Sequence, residues 1–263
     1  MIKTYFDMNK KLIPRIFFIV LLLTSAGVAY GQQFNALLIT KTRGWHHESI
    51  VTAVPAMQNL AARHHFNLDI FQDGTSLHSR MLQKYDVIIM VNTTGDIFNE
   101  EEQVAFEQFI QSGKGYVGIH AAADTEYGWK WYTKLVGYMF KIHPQIQTAM
   151  LDVVDSDFPG LEFWPKRLMW TDEWYQFGEQ LNPNLKFILT IDETSYDPKE
   201  KWGDNVGNGM GDFHPISWYH NYDGGRSFYT ALGHMPEIYQ DNKFLDHVFG
   251  GIYWAATGKG LKK

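Results

Sequence analysis

The sequence predicts an α/β protein with a doubly wound, mostly parallel sheet, and three observations carry that prediction. From Phe34 onward short apolar runs alternate with stretches of helical periodicity, the pattern of successive βαβ units. Two of those runs, 85–91 and 115–119, suit strands buried in the middle of a sheet. Histidine-bearing polar segments stand directly after several runs, where the carboxyl ends of parallel strands form a ligand crevice.

Taken in order, residues 34–40 suit a first central strand, and the polar stretch 41–49 follows as a loop. Ile50, Ala53, Val54, Met57, Leu60, Ala61 and His64 recur at helical spacing, with Pro55 tolerated in the first turn. Residues 68–71 read as a second short strand and 85–91 as a third. Asn99 with Glu102 three residues on forms a capping box. The helix it opens carries Ala105, Phe106, Phe109 and Ile110 on one face and ends at Gly113.

The run 115–119 is the fourth strand. Tyr116, Val117 and Ile119 give it strand character, Gly115 and Gly118 leave room for close backbone approach, and His120 falls on the turn that ends it. Beyond His120 the periodicity weakens. A strand through Val153 and Val154 is expected, with others over 186–191, 216–219 and 228–232. The glycine-rich segment 203–212 follows no strand and carries acids where a phosphate cradle needs lysine. It reads as a mobile surface loop, with a lid over the site as the sharper alternative. A last amphipathic helix, capped near Asp241 or Asn242, carries Phe244, Leu245, Val248, Phe249, Ile252, Ala255 and Ala256 up to Gly258.

At 263 residues, without repeat or linker, the chain reads as a single domain over 32–263 behind a leader. Lys10, Lys11 and Arg15 form a positive region, 16–23 is an unbroken apolar run, and Ala29-Tyr30-Gly31 is a small-x-small cleavage site. Residues 1–31 therefore read as a signal peptide, with Met8 an alternative start and a secreted, periplasmic product expected. The apolar run is short for a bilayer, so no stable membrane insertion is expected after cleavage. A net charge of -6, with no Lys/Arg cluster outside the termini, argues against a nucleic-acid partner. Without cysteine the chain has no disulfides, thiolate metal sites or Cys nucleophile. An aromatic share of 16%, including nine Trp, is compatible with a small saccharide or glucoside ligand, since aromatic rings stack on sugar faces.

The chemistry points to histidine. Of eleven histidines, His47, His120 and His234 follow predicted strands, His143 precedes Pro144, and His220 ends the Trp218-Tyr219-His220 run. A parallel sheet brings strand ends together, so His47, His120 and His234 can converge. Imidazoles with a carboxylate and no thiolate suit Zn, Mn, Fe or Ni; His47, His120 and His143 are the candidate ligands. Neighbours in an extended segment point to opposite faces, so only one of Asp172 and Glu173 works in the site: Glu173, with Asp172 a hydrogen-bonding or surface residue. Asp124 either orients His120 and adds a second carboxylate or caps a helix. Arg226 either clamps a ligand oxygen or is a solvated hairpin residue. Trp129, Trp131 and Trp170 are candidate stacking residues. No G-x-S-x-G elbow and no H-E-x-x-H motif occur.

Seven motifs in order resemble the trehalose-utilisation, or ThuA-like, family: 44–50, 117–122, His143-Pro144, 172–175, 215–218 with Gly225-Arg226, Gly233-His234, and 251–255. The resemblance spans about 34–258 and implies a class I glutamine amidotransferase-like, flavodoxin-like fold. There 117–122 is the nucleophile elbow, bearing His120 instead of cysteine, which excludes amidotransferase chemistry. It also implies a role in the catabolism of glucosides, alongside oxidoreductases that make 3-keto sugars, with some relatives labelled secreted glycosyl hydrolases. On that footing His47, His120, Glu173 and Asp124 are the candidate catalytic residues of a glycoside-cleaving hydrolase or lyase, possible metal assistance included, and no nucleotide cofactor is expected. Trp129, Trp170, His220, Arg226 and His234 are the candidate substrate contacts. Two alternatives stay open: a non-catalytic carbohydrate-binding protein, and a plain hydrolase with Glu173 and Asp124 as acid and base.

Overall fold

In the computed structural model, which describes residues 1, 31–72 and 74–261, the predicted alternation is realised around one large sheet. The expected leader falls almost wholly outside the described residues. The first half comprises β1 (Asn35–Ile39), α1 (Ile50–His64), β2 (Asn67–Ile70), β3 (Val87–Val91), α2 (Glu100–Gln111) and β4 (Gly115–Ile119). The second half comprises α3 (Lys130–Val136), β5 (Gln147–Val153), β6 (Arg167–Asp172), β7 (Lys186–Asp192), β8 (His214–Tyr222), β9 (Gly225–Thr230) and α4 (Asn242–Thr257).

The nine strands lie in the order β2-β1-β3-β4-β9-β8-β7-β5-β6. Pairing is parallel from β2 across to β9 and antiparallel from β9 out to β6. The parallel half is the α/β core that the sequence predicts; the antiparallel half is an extension that it did not announce. Every residue of β3 and β4 is buried, which is why both read as unbroken apolar runs rather than alternating ones. The Asn99–Glu102 capping box opens α2 with both reciprocal bonds made, and Asp241 caps α4. Gly115 lets α4 approach β4 directly, since a Cβ there would collide with the carbonyl of Ala255.

Two details differ from expectation. The segment read as a mobile loop is a hairpin, Lys199–Trp202 against Asn205–Asn208, closed by Gly203-Asp204 with Trp202 opposite Asn205. Its base is pinned: Gly211 N donates to Glu193 Oε2 at 3.0 Å, Gly209 N to Gln176 Oε1 at 2.9 Å, and Met210 N also donates to Glu193. The run expected over 216–219 is the longer β8, paired on both sides.

Candidate active site

The crevice forms where β3 and β4 end side by side, Val91 opposite Ile119. Each strand is followed by a non-glycine residue in the left-handed region, Asn92 at φ 52° and His120 at φ 50°. The turn at His120 throws its ring into the crevice, and two bonds keep it there. Tyr229 donates its hydroxyl to the His120 carbonyl at 2.7 Å, and His120 Nδ1 lies 2.7 Å from the carbonyl of Ala231. Asn92 Nδ2 donates to Ser49 Oγ at 2.9 Å and to the Gly233 carbonyl at 3.3 Å. One side chain thus ties together the loop bearing His47 and the turn bearing His234. The Trp45 carbonyl, accepting from Thr94 Oγ1 at 2.8 Å, fixes the same loop from its other end.

Asp172 and Glu173 divide their roles as the extended-chain argument requires. Asp172, fully buried at the end of β6, accepts from the backbone N–H groups of Glu173 at 3.0 Å, Gly233 at 2.9 Å and His234 at 3.2 Å. It therefore locks the Glu173 backbone to the Gly233-His234 turn. Gly233 sits at φ 122°, and a Cβ there would come within 2.9 Å of Ile119. Glu173 points the other way, into the crevice. His120 Nε2 lies 3.3 Å and His234 Nδ1 3.1 Å from its Oε2, and His143 Nε2 lies 3.1 Å from Oε1. His47 completes the cluster, its ring edge-on to His120 at 5.1 Å and to His234 at 5.4 Å.

The tautomers follow from the outer bonds. His143 Nδ1 lies 2.9 Å from the Pro144 carbonyl, as His120 Nδ1 does from that of Ala231. A carbonyl only accepts, so both Nδ1 atoms carry hydrogen and both Nε2 atoms face Glu173. With a second hydrogen on Nε2 a ring donates to the carboxylate as an imidazolium; without it the Nε2 lone pair is free to ligate a metal ion, and His120 Nε2 also lies 3.2 Å from His234 Nδ1. Burial holds His143 below the usual histidine range despite the opposing pull of Glu173. His47 is pushed down to about 3, first by burial and then by the charges of His120 and His234, so its ring stays neutral. Its Nδ1 is buried without a hydrogen-bond partner. Burial alone would raise Glu173, but its bonds to His120 and His234 and the neighbouring imidazole charges hold it well below the carboxylate range. Burial would lower His234, and the bond to Glu173 outweighs it and raises the group.

His47, His120, Glu173 and His234 each offer a ligand atom within 4.8 Å of the others, a buried group that could bind a metal. Three imidazoles with one carboxylate and no thiolate suit Zn, Mn, Fe or Ni. His143, expected among the ligands, lies outside this quartet and holds the second oxygen of Glu173, while His234, expected to touch substrate, lies within it. Above the cluster opens a cavity of about 500 Å³, whose walls include Trp45, Phe140, Tyr175, Trp202 and Asp124. Asp124 accepts from the Tyr127 hydroxyl at 2.9 Å, and burial raises it above the usual carboxylate range.

The other expected contacts lie elsewhere, each with a structural task. Trp129 stacks on Trp131 and Tyr132 and donates to Glu107 at 2.9 Å. Trp170 stacks on Trp164 at 5.6 Å along the edge strand β6. His220 is buried between Asn182 and the Leu135 carbonyl, 3.0 and 2.8 Å away. Arg226 is not a solvated hairpin residue but is tied to the end of α4. It donates to the carbonyls of Ala255 at 2.6 Å and Ala256 at 3.2 Å, where its charge also suits the C-terminal end of α4. The aromatic walls that the sequence reading missed are Trp45, Phe140, Tyr175 and Trp202. Trp202 had a usable signal, because Gly203-Asp204 between two four-residue runs is a two-residue hairpin turn.

The family model described as ThuA, trehalose utilisation, matches residues 35–255. A solved structure described as a ThuA-like protein from Bacteroides uniformis is similar at 25% identity and TM-score 0.70, covering 90% of this chain and 98% of its own. A second described in the same words, from Parabacteroides merdae, is similar at 22% identity and TM-score 0.68, covering 88% and 92%. A protein from Salmonella typhimurium, STM3548, shares the fold at 10% identity and TM-score 0.55, over 85% of this chain and 99% of its own. No curated protein matches the chain.

Proposed function

This chain belongs to the ThuA family, described as trehalose utilisation within the glutamine amidotransferase-like superfamily, which gives it a role in carbohydrate metabolism; from that premise we propose a specific activity. The protein is an exported enzyme that cleaves a glucoside carrying a ketone at C3, by elimination across C1 and C2. The observation that carries this reading is the convergence of three imidazoles on Glu173 at the floor of a cavity with aromatic walls. The leader motif of residues 1–31 supports export.

His47, His120, Glu173 and His234 would hold a divalent transition metal, which when bound supplies a Lewis acid for the ketone oxygen. His143 keeps the Glu173 carboxylate in place through its second oxygen. Asp124 faces the cavity outside that set and is the group to move the proton. Asp124 removes the proton from C2, which the adjacent ketone makes acidic. The C2–H electron pair forms a C1=C2 double bond, and the C1–O bond breaks toward the leaving oxygen. That oxygen takes the proton back from Asp124 and departs as an alcohol, leaving a conjugated enone, so atoms and charge balance. Phe140 and Tyr175 give the cavity its apolar walls beside the cluster.

The test is release of the alcohol from a 3-keto-glucoside by the purified mature protein, with and without a strong chelator, with metal content measured and the parent glucoside as control. Release that needs both ketone and metal is expected. Equal release from both glucosides, indifferent to chelation, overturns the proposal in favour of a hydrolase using Asp124 and Glu173. Saccharide binding with no release overturns it in favour of a binding protein.

A further inference from the structure

A second cavity, about 320 Å³, adjoins the first. It is bounded by Pro144, Gln145, Ile146 and Glu200, and it shares His143, Glu173 and Trp202 with the cavity above the cluster. These three side chains form a partition between two compartments. Glu173 Oε1 lies 3.1 Å from His143 Nε2, and the Trp202 and His143 rings meet edge to face at 4.7 Å. Trp202 is 43% exposed, yet it is not on a floppy strap. Besides the bonds at the base of the hairpin, Asn205 Nδ2 donates to the Lys141 carbonyl at 2.8 Å. The partition is thus built into the fold, with a compartment on each side of it.

The two compartments differ in character. The first offers the faces of Trp45, Phe140 and Tyr175 beside the metal-binding group. The second offers the amide of Gln145 and the carboxylate of Glu200, beside the apolar surfaces of Ile146 and Trp202. A pyranose ring presents apolar C–H faces and a rim of hydroxyls, which is the complement of such a wall.

Building on the elimination reading of the site, we infer that the substrate is a glycoside of two joined units whose scissile bond lies across the His143–Glu173–Trp202 partition. The unit that reacts occupies the aromatic compartment, and the hydroxylated leaving unit occupies the compartment of Gln145 and Glu200. The partition sets the substrate length, and Glu200 and Gln145 determine specificity for the leaving unit without touching the reacting atoms.

The test is calorimetry on the metal-loaded mature protein with methyl glucoside and with glucose disaccharides of different linkage, none of which carries a ketone to react. At least one disaccharide is expected to bind about tenfold tighter than methyl glucoside, a gain typical of a second subsite. The double variant Gln145→Ala, Glu200→Ala is expected to lose that ratio while keeping wild-type affinity for methyl glucoside, which reports that it still folds. Trp202→Ala weakens both ligands, because its ring faces both compartments. Equal affinity for one-unit and two-unit ligands, or a double variant that weakens both alike, overturns the inference. Length-dependent binding without cleavage of the 3-keto forms leaves the second compartment standing and sinks the elimination reading alone. No binding of any saccharide sinks both.

Discussion

Replacing Asp172 by Asn keeps the shape of the residue and removes its charge, and the structure gives the consequence. One carboxylate oxygen accepts from the N–H groups of Glu173 and His234, and the other accepts from Gly233. An amide reproduces the first oxygen but sets an NH2 group against the Gly233 N–H, donor facing donor. The loss is one hydrogen bond to a charged acceptor and one buried N–H left unpaired, about 2 kcal/mol in total. Burial already raises Asp172 above the usual carboxylate range, so removing the charge returns part of a desolvation cost and keeps the figure at that level. For a domain of this size that corresponds to a fall in Tm of about 4–8 °C in chelated protein. The same bonds aim Glu173 and His234, so metal affinity should fall about 10- to 100-fold, as it does when an outer-shell partner of a ligand is removed. Thermal unfolding in chelator and calorimetric titration with Zn or Mn read the two effects separately. An Asp172→Asn protein with wild-type Tm and wild-type metal affinity would refute the claim that this carboxylate builds the site.

Three further predictions concern its neighbours. Glu173→Gln should remove metal binding and, in metal-free protein, drop His234 from above 6.5 to below it, because Glu173 is what holds His234 up against burial; histidine proton chemical shifts against pH report this. Glu193, which clamps the hairpin base and meets His214 Nδ1 at 2.7 Å, is held below 4.5 by those bonds in spite of burial. A carboxylate with a depressed folded pKa contributes stability above its unfolded value and loses it as pH falls through the folded one. Glu193→Gln should therefore cost about 1–3 kcal/mol by urea unfolding at pH 7, a difference that shrinks below pH 4.5. A gap that widened in acid would contradict this. Tyr229→Phe removes the donor to the His120 carbonyl and should cost about 1 kcal/mol, with weaker metal binding; unchanged affinity would mean that the elbow holds its shape without that bond.

How much of this was legible in the sequence depended on where the signal resides. Runs such as Val87–Val91 and Gly115–Ile119 are apolar because both faces of the sheet are covered, a local consequence that composition records. The strand-end histidines were legible for a topological reason: parallel strands gather their carboxyl ends whatever the connecting segments do. Which histidine belonged to which task was not legible. His234 rather than His143 stands in the quartet because Asp172 holds the Gly233-His234 turn, 61 residues away in sequence at its nearer residue. Trp129 and Trp170 misled for a similar reason. An aromatic residue suits core and sugar face equally, and only its neighbours decide; here these are Tyr132 and Trp164.

The elbow shows why the remaining part of the site could not follow from local rules. Asn92 and His120 stand just beyond the paired ends of β3 and β4, both at positive φ, and such residues cost of order 1–3 kcal/mol each unless their surroundings impose them. Asparagine visits that region readily and histidine less so, and neither position is marked by glycine, the usual sequence sign of a left-handed turn. What imposes the conformation is distant in the chain: Tyr229 on the His120 carbonyl, Ala231 on its ring, Ser49 and Gly233 on the Asn92 amide. The same bonds that hold the strained backbone fix Nδ1 of His120 as a donor and leave Nε2 facing Glu173. Strain and chemistry therefore share their causes. A glycine at 120 would relax the backbone and delete the ring in one step, so the turn and the imidazole stand or fall together.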